Sequence, residues 1–104
     1  MRFDQIHSVY FIGIGGIGMS AIARYFNALG KRVGGYDRTR TDLTDQLQAE
    51  GILVHYDESV EACWPDADLV VYTPAIPDTM PQLVWYRASD RPLMKRSQVL
   101  GLIS

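Results

Sequence analysis

Residues 13–20, Gly-Ile-Gly-Gly-Ile-Gly-Met-Ser, follow the β-branched and aromatic run Val9-Tyr10-Phe11-Ile12. They lead into apolar residues at helical spacing, Met19, Ile22, Ala23, Phe26 and Leu29, which end at Gly30. A strand that turns through glycines straight into a helix is the opening of a parallel crossover, and it commits the chain to an α/β sheet. Each glycine answers a physical need. Gly13 lets the strand turn sharply, Gly15 and Gly16 leave bare backbone for a diphosphate to approach, and Gly18 lets the helix pack close to the strand. The anion would rest on the helix N-terminus, where the first amides lack partners within the helix and the dipole adds roughly half a positive charge. A tight turn without a ligand uses the same residues. The flanking strand and helix favour the phosphate cradle.

The rest of the chain alternates in the same way. Arg32 to Tyr36 reads as a second strand, and residues 41–50 as a helix with Leu43 and Leu47 one turn apart and Gly51 at its end. A third strand follows at Ile52 to His55, a short helical turn near Ser59 to Cys63, and a strand at Asp68 to Tyr72 whose unbroken apolar run suits burial on both faces. Thr79-Met80-Pro81-Gln82 has the form of a capping box opening a helix to about Ser89, and Pro92 to Lys95 reads as a last strand. The expected fold is a Rossmann-like three-layer α/β sandwich, one domain over residues 1–104, with a parallel sheet of about five strands. Residues 96–104 begin like a helix capped by Ser97 and stop before any stop signal, as in a domain excised from a longer protein. A natural C-terminal helix is the alternative.

Charge and composition exclude several classes. A net charge of −2 with ten scattered Lys and Arg residues gives no basic stripe for nucleic acid or an anionic membrane. No apolar stretch approaches the ~20 residues of a membrane span, and Met1-Arg2-Phe3-Asp4-Gln5 lacks the apolar region of a signal peptide, so the cytoplasm is the expected compartment. The single cysteine, Cys63, has no histidine beside it and reads as a small helix residue. His7 and His55 stand apart, which argues against a metal, and His55 reads as a half-buried strand residue. There is no Gly-x-x-x-x-Gly-Lys-Ser/Thr loop for ATP and no cluster of base and nucleophile, so no catalytic residue is expected. Asp37, nineteen positions after Gly18, stands where a dinucleotide-binding domain places the carboxylate that accepts from a ribose diol. It could equally cap the turn into Arg38-Thr39.

The segment Ile6 to Ala23, with its complete Gly-Ile-Gly-Gly-Ile-Gly-Met-Ser core, closely resembles the N-terminus of the Mur ligases. Asp68 to Pro77 is similar to that family's strand and Ser-Ser/Thr-Pro-Ala-Ile loop, and Arg96-Ser97-Gln98-Val99-Leu100 to its Arg-Ala/Ser-Glu-x-Leu segment. In two places the residues differ from the family's pattern. Met80-Pro81-Gln82 stands where Asn-Pro-Glu is usual, and His55-Tyr56-Asp57 where a Gly-His pair often follows the third strand. The resemblance implies a three-domain enzyme of peptidoglycan biosynthesis that uses ATP and magnesium to activate the lactyl carboxylate of UDP-N-acetylmuramate for attack by L-alanine. On that basis this chain is the N-terminal, UDP-sugar-binding domain, holding no cofactor itself and partnered by a central ATPase domain. The resemblance assigns diphosphate contacts to Gly15, Gly16, Ile17, Gly18 and Met19, and places Asp37 and the loop Thr73, Pro74, Ala75 and Ile76 near the uridine. Read from the residues alone, an NAD-binding regulatory or dehydrogenase domain would use the same glycines and Asp37 equally well.

Overall fold

The computed structural model describes residues 2–103. The apolar runs become strands β1 (Ser8–Ile12), β2 (Arg32–Tyr36), β3 (Leu53–His55), β4 (Leu69–Tyr72) and β5 (Leu93–Lys95). The stretches of helical spacing become α1 (Ile17–Ala28), α2 (Asp42–Ala49), α3 (Pro81–Ala88) and α4 (Arg96–Ile103). The described residues form one five-stranded sheet in the order β3-β2-β1-β4-β5, and every neighbouring pair is parallel. This is the expected α/β three-layer architecture.

β1 lies at the centre and is buried along its whole length. Because successive side chains of a strand point to opposite faces, it feeds both halves of the core. Val9 and Phe11 pack with Met19, Ile22, Phe26, Leu47 and Val99, beneath α1, α2 and α4. Tyr10 and Ile12 pack with Val70, Leu83 and Tyr86, beneath α3. Burial of each such large side chain contributes about 1.5–3 kcal/mol, so the two layers hold the sheet between them.

The glycine pair of β2 is a steric requirement. A Cβ on Gly35 would overlap the Phe11 carbonyl oxygen, and one on Gly34 would lie 2.6 Å from both the Leu53 oxygen and the Trp64 ring. Trp64 thus packs its ring against Gly34 of β2, with the Arg32 guanidinium 3.9 Å from the ring centroid.

Two helix starts differ from their sequence reading. α3 begins at Pro81 with Met80 at the cap position, its sulfur accepting the Gln82 amide at 3.2 Å. A proline at the first helical position fixes the start, so Thr79 lies one residue too early to cap and Gln82 turns inward. α4 starts at Arg96, directly after β5, so Ser97 lies within the first turn. The Gln98 side chain closes that turn by accepting the Lys95 amide at 2.8 Å.

Candidate functional site

In a parallel sheet the loops after the strands all emerge on one edge, and a crevice opens where neighbouring crossovers diverge to opposite faces. Here that point lies between β1 and β4, whose following helices α1 and α3 sit on opposite faces. Every sequence-predicted site residue lies on this edge: Gly15 to Met19 after β1, Asp37 after β2, and Thr73 to Ile76 after β4.

The turn after β1 is built from backbone. Gly13 has φ +92°, a left-handed conformation that glycine adopts freely, and it donates to the Tyr36 carbonyl at 2.8 Å, as Ile14 does at 3.0 Å. Gly15 donates to Asp37 Oδ1 at 2.9 Å and Gly16 to the Gly13 oxygen at 3.3 Å. The helix's own first bond runs from the Ser20 amide to the Gly16 oxygen at 2.7 Å. Gly16 is the cap residue and supplies no side-chain acceptor. The amides of Ile17, Gly18 and Met19 therefore have no partner among the described residues. α2 is the contrast, since there Thr41 and Thr44 close a complete capping box.

The glycines divide differently from their sequence reading. A Cβ on Gly15 would come within 2.9 Å of Asp37 Oδ1 and Thr44 Cγ2, so its smallness serves the turn's own packing and not an open approach. Gly16 meets nothing closer than 3.6 Å and is the open position. Gly18 faces Arg96, whose Nη1 would lie 2.8 Å from an added Cβ; the nearest atoms there belong to α4 and not to a strand. Met19 has its side chain in the core, so its amide alone faces the edge.

Asp37 caps its own turn as well, since Oδ2 accepts the Thr39 amide at 3.1 Å. One carboxylate thus ties the end of β2 to the glycine turn, and it keeps lone pairs for further donors. Thr73 folds its own loop, its Oγ1 accepting from Ala75 at 3.2 Å and its carbonyl from Ile76 at 3.1 Å. Pro74 and Ala75 are exposed, whereas Ile76 reaches back to Gly13, within 3.1 Å of where a Cβ would be. Beside this loop opens a cleft of about 760 Å³, lined by Tyr36, Arg38, Glu58, Ala75, Ile76, Pro77, Thr79, Met80 and Pro81. Tyr36, Arg38, Glu58, Pro77, Thr79, Met80 and Pro81 were not among the predicted site residues, because nothing local marks the end of β2 and the segments after β3 and β4 as neighbours.

From Gln82, the residue after the cleft-lining Pro81, runs a polar chain. The Tyr10 hydroxyl donates to Gln82 Oε1 at 2.7 Å and meets His55 Nε2 at 2.9 Å. His55 Nδ1 accepts the Asp57 amide at 3.3 Å, which makes Nε2–H the donor to Tyr10 and requires a neutral ring. His55 is half-buried in β3, as its sequence suggested. Burial pulls its pKa down, and the nearby Asp57 carboxylate opposes this only in part. Burial also pushes the Cys63 thiol up to about 11, which leaves it inert at neutral pH.

The His55 shift carries a sign. An imidazole whose folded pKa lies below its ordinary 6.5 binds protons better in the unfolded chain, so its contribution is present above that value and is lost as pH falls through the folded pKa. The unfolding midpoint should hold steady above about pH 6.5 and decline below it. Following the His55 ring by NMR isolates the group, and a midpoint above 6.5 would contradict the neutral assignment.

A family model described as "Mur ligase family, catalytic domain" matches residues 8–104. Among curated proteins, UDP-N-acetylmuramate–L-alanine ligase of Phocaeicola vulgatus is 50% identical over all of this chain and 24% of its own length. The protein of that name from Cytophaga hutchinsonii is 52% identical over all of this chain and 23% of its own. The crystal structure of UDP-N-acetylmuramate-alanine ligase from Thermotoga maritima superposes with a TM-score of 0.83 at 35% identity, covering 89% of this chain and 21% of that one. The chain thus spans about a quarter of the length of the curated relatives it matches.

Proposed function

Since the chain belongs to the Mur ligase family, we propose that it is the UDP-sugar-binding domain of a ligase that joins L-alanine to UDP-N-acetylmuramate. The observation that carries this reading is the uncapped start of α1. Three consecutive amides, Ile17, Gly18 and Met19, point out of a glycine turn at the switch point of the sheet, with an open glycine at the cap. An anion there gains the helix dipole and up to three charge-assisted hydrogen bonds, each worth about 1.5–3 kcal/mol. The Arg96 guanidinium lies against Gly18 in that first turn, adding positive charge on the side of α4.

With the diphosphate on α1, the uridine extends along Asp37 toward the cleft beside Thr73 to Ile76. Gly15 and Gly16 contribute shape, because their amides already have partners within the turn. The N-acetylmuramate would project outward from the same edge, in the cytoplasm, toward the ATP-bearing domain of a parent enzyme.

On this reading ATP and magnesium are held by the central domain of the parent enzyme. The sequence holds no Gly-Lys-Ser/Thr loop, and no three His, Cys, Asp or Glu side chains of the described residues converge to hold a metal ion. No step of the ATP-dependent reaction is assigned to it. Among the described residues, no helix is long and apolar enough to cross a membrane.

Calorimetric titration of the chain with UDP-N-acetylmuramate, UDP and NAD tests the reading. Both uridine ligands are expected to bind at least tenfold more tightly than NAD. Tighter binding of NAD would move the chain to the dinucleotide-binding reading instead. With ATP, magnesium and L-alanine added, phosphate release by this chain should stay at the buffer rate.

A further inference from the structure

Gln82 is fully buried, and every polar atom of its side chain is committed. Its Oε1 accepts the Tyr10 hydroxyl, while Nε2 donates to the carbonyls of Asp57 and Ser59, each at 2.9 Å. Those two carbonyls bracket Glu58, which lines one side of the cleft, and Gln82 itself follows Pro81, which lines another side. One amide thus joins two cleft-lining segments that lie more than twenty residues apart in the chain. The two stretches in which the sequence departs from the family's pattern, His55-Tyr56-Asp57 and Met80-Pro81-Gln82, are the ones that meet here.

We infer that Gln82 is a positioning residue that fixes the spacing between the Glu58 segment and the start of α3, and so gives the cleft its discrimination between a single-ring and a two-ring base. The inference rests on reading the cleft as the nucleoside site. The physical reason is that both donors of the amide are needed. Lone pairs of the Asp57 and Ser59 carbonyls converge on one nitrogen, and a carbonyl left facing another acceptor is driven away from it. Tyr10 holds the opposite end of the amide and does not touch the cleft.

The substitution Gln82→Glu keeps the shape and turns both bonds into oxygen-to-oxygen repulsion. UDP affinity should fall at least tenfold at pH 8, and the preference for UDP over ADP should shrink by a similar factor. Part of both should return as the pH is lowered, read against the unmodified chain at the same pH so that protonation of His55 beside Tyr10 and Asp57 is common to both, because burial raises the pKa of the new carboxyl and its protonated form offers one donor again. Tyr10→Phe is the opposite case. It removes both hydrogen bonds of the hydroxyl, to Gln82 and to His55, but leaves the two carbonyl bonds, so it should lower the melting temperature while UDP affinity stays within twofold. Should Q82E not fold, Gln82→Met removes the donors without adding charge, and the same loss of discrimination is expected without recovery in acid. Folding is checked by circular dichroism at the titration temperature.

A folded Q82E or Q82M with wild-type affinity and selectivity would overturn the positioning role, as would Tyr10→Phe changing selectivity as much as Q82E does. If the unmodified chain bound no uridine nucleotide at all, the functional reading would fail first. That outcome is distinguishable because it requires no variant.

Discussion

Gly16→Asp should make the domain more stable and at the same time remove its affinity for UDP. Gly16 sits at the cap of α1 with φ −65° and ψ 149°, an extended conformation open to any L-residue, and an added Cβ meets nothing closer than 3.6 Å. An aspartate there can accept from the amides of Gly18 and Met19, the groups now left without partners. The gain over glycine is a few tenths of a kcal/mol from the cap, with a further ~0.3–1 from a negative charge at the positive end of the dipole. The same carboxylate fills the anion site and repels the diphosphate. Two lost charge-assisted bonds at about 1.5–3 kcal/mol each correspond to a loss of at least ~100-fold in affinity. A thermal melt and a UDP titration on one preparation check both halves. Unchanged UDP affinity in a stabilised variant would place the diphosphate elsewhere, whereas a destabilised variant would mean that the cap geometry is misassigned.

Gly35→Ala is expected to prevent folding. Gly35 pairs with Phe11 in the central β1–β2 ladder, and an alanine Cβ would overlap the Phe11 carbonyl oxygen and lie 2.9 Å from its carbonyl carbon and nitrogen. Those are backbone atoms of the central strand, held on both sides by parallel partners, so they cannot swing aside as a side-chain tip can. Separating β1 from β2 would open both core layers, and the cost exceeds ~4 kcal/mol, a large part of the 5–15 kcal/mol that stabilises a domain. Circular dichroism and amide dispersion in an NMR spectrum would report the loss. A cooperative melt within a few degrees of the parent would show that the strands can part locally without cost.

The elements themselves were legible because their signals are local. Glycine turns, the unbroken apolar run of β4 and the 3.6-residue spacing of α1 act over a few positions, and each appeared within about two residues of where its pattern lies. The helix starts at Pro81 and at the β5–α4 junction differ from their sequence reading for a local reason too. A proline at the first helical position and a strand running directly into a helix each overrode a weaker Ser/Thr capping signal.

The sequence by itself thus determined an α/β chain with a glycine turn feeding a helix, and it placed every predicted site residue in the turn, first helical turn or loop that follows a strand. Only the tertiary structure decided which groups of that turn remain available. Asp37 reaches Gly15 across 22 positions and takes up its amide, Arg96 lies over Gly18, and the free amides are left at Ile17 to Met19. Likewise Gln82 reads as a helix-start residue in the sequence, yet it lies 72 positions from Tyr10 and within 2.7 Å of it in space. The reason is physical. Local propensity acts between residues a few positions apart, whereas a hydrogen-bond donor or acceptor inside the fold is satisfied by whatever group the sheet order and the two core layers bring within about 3 Å.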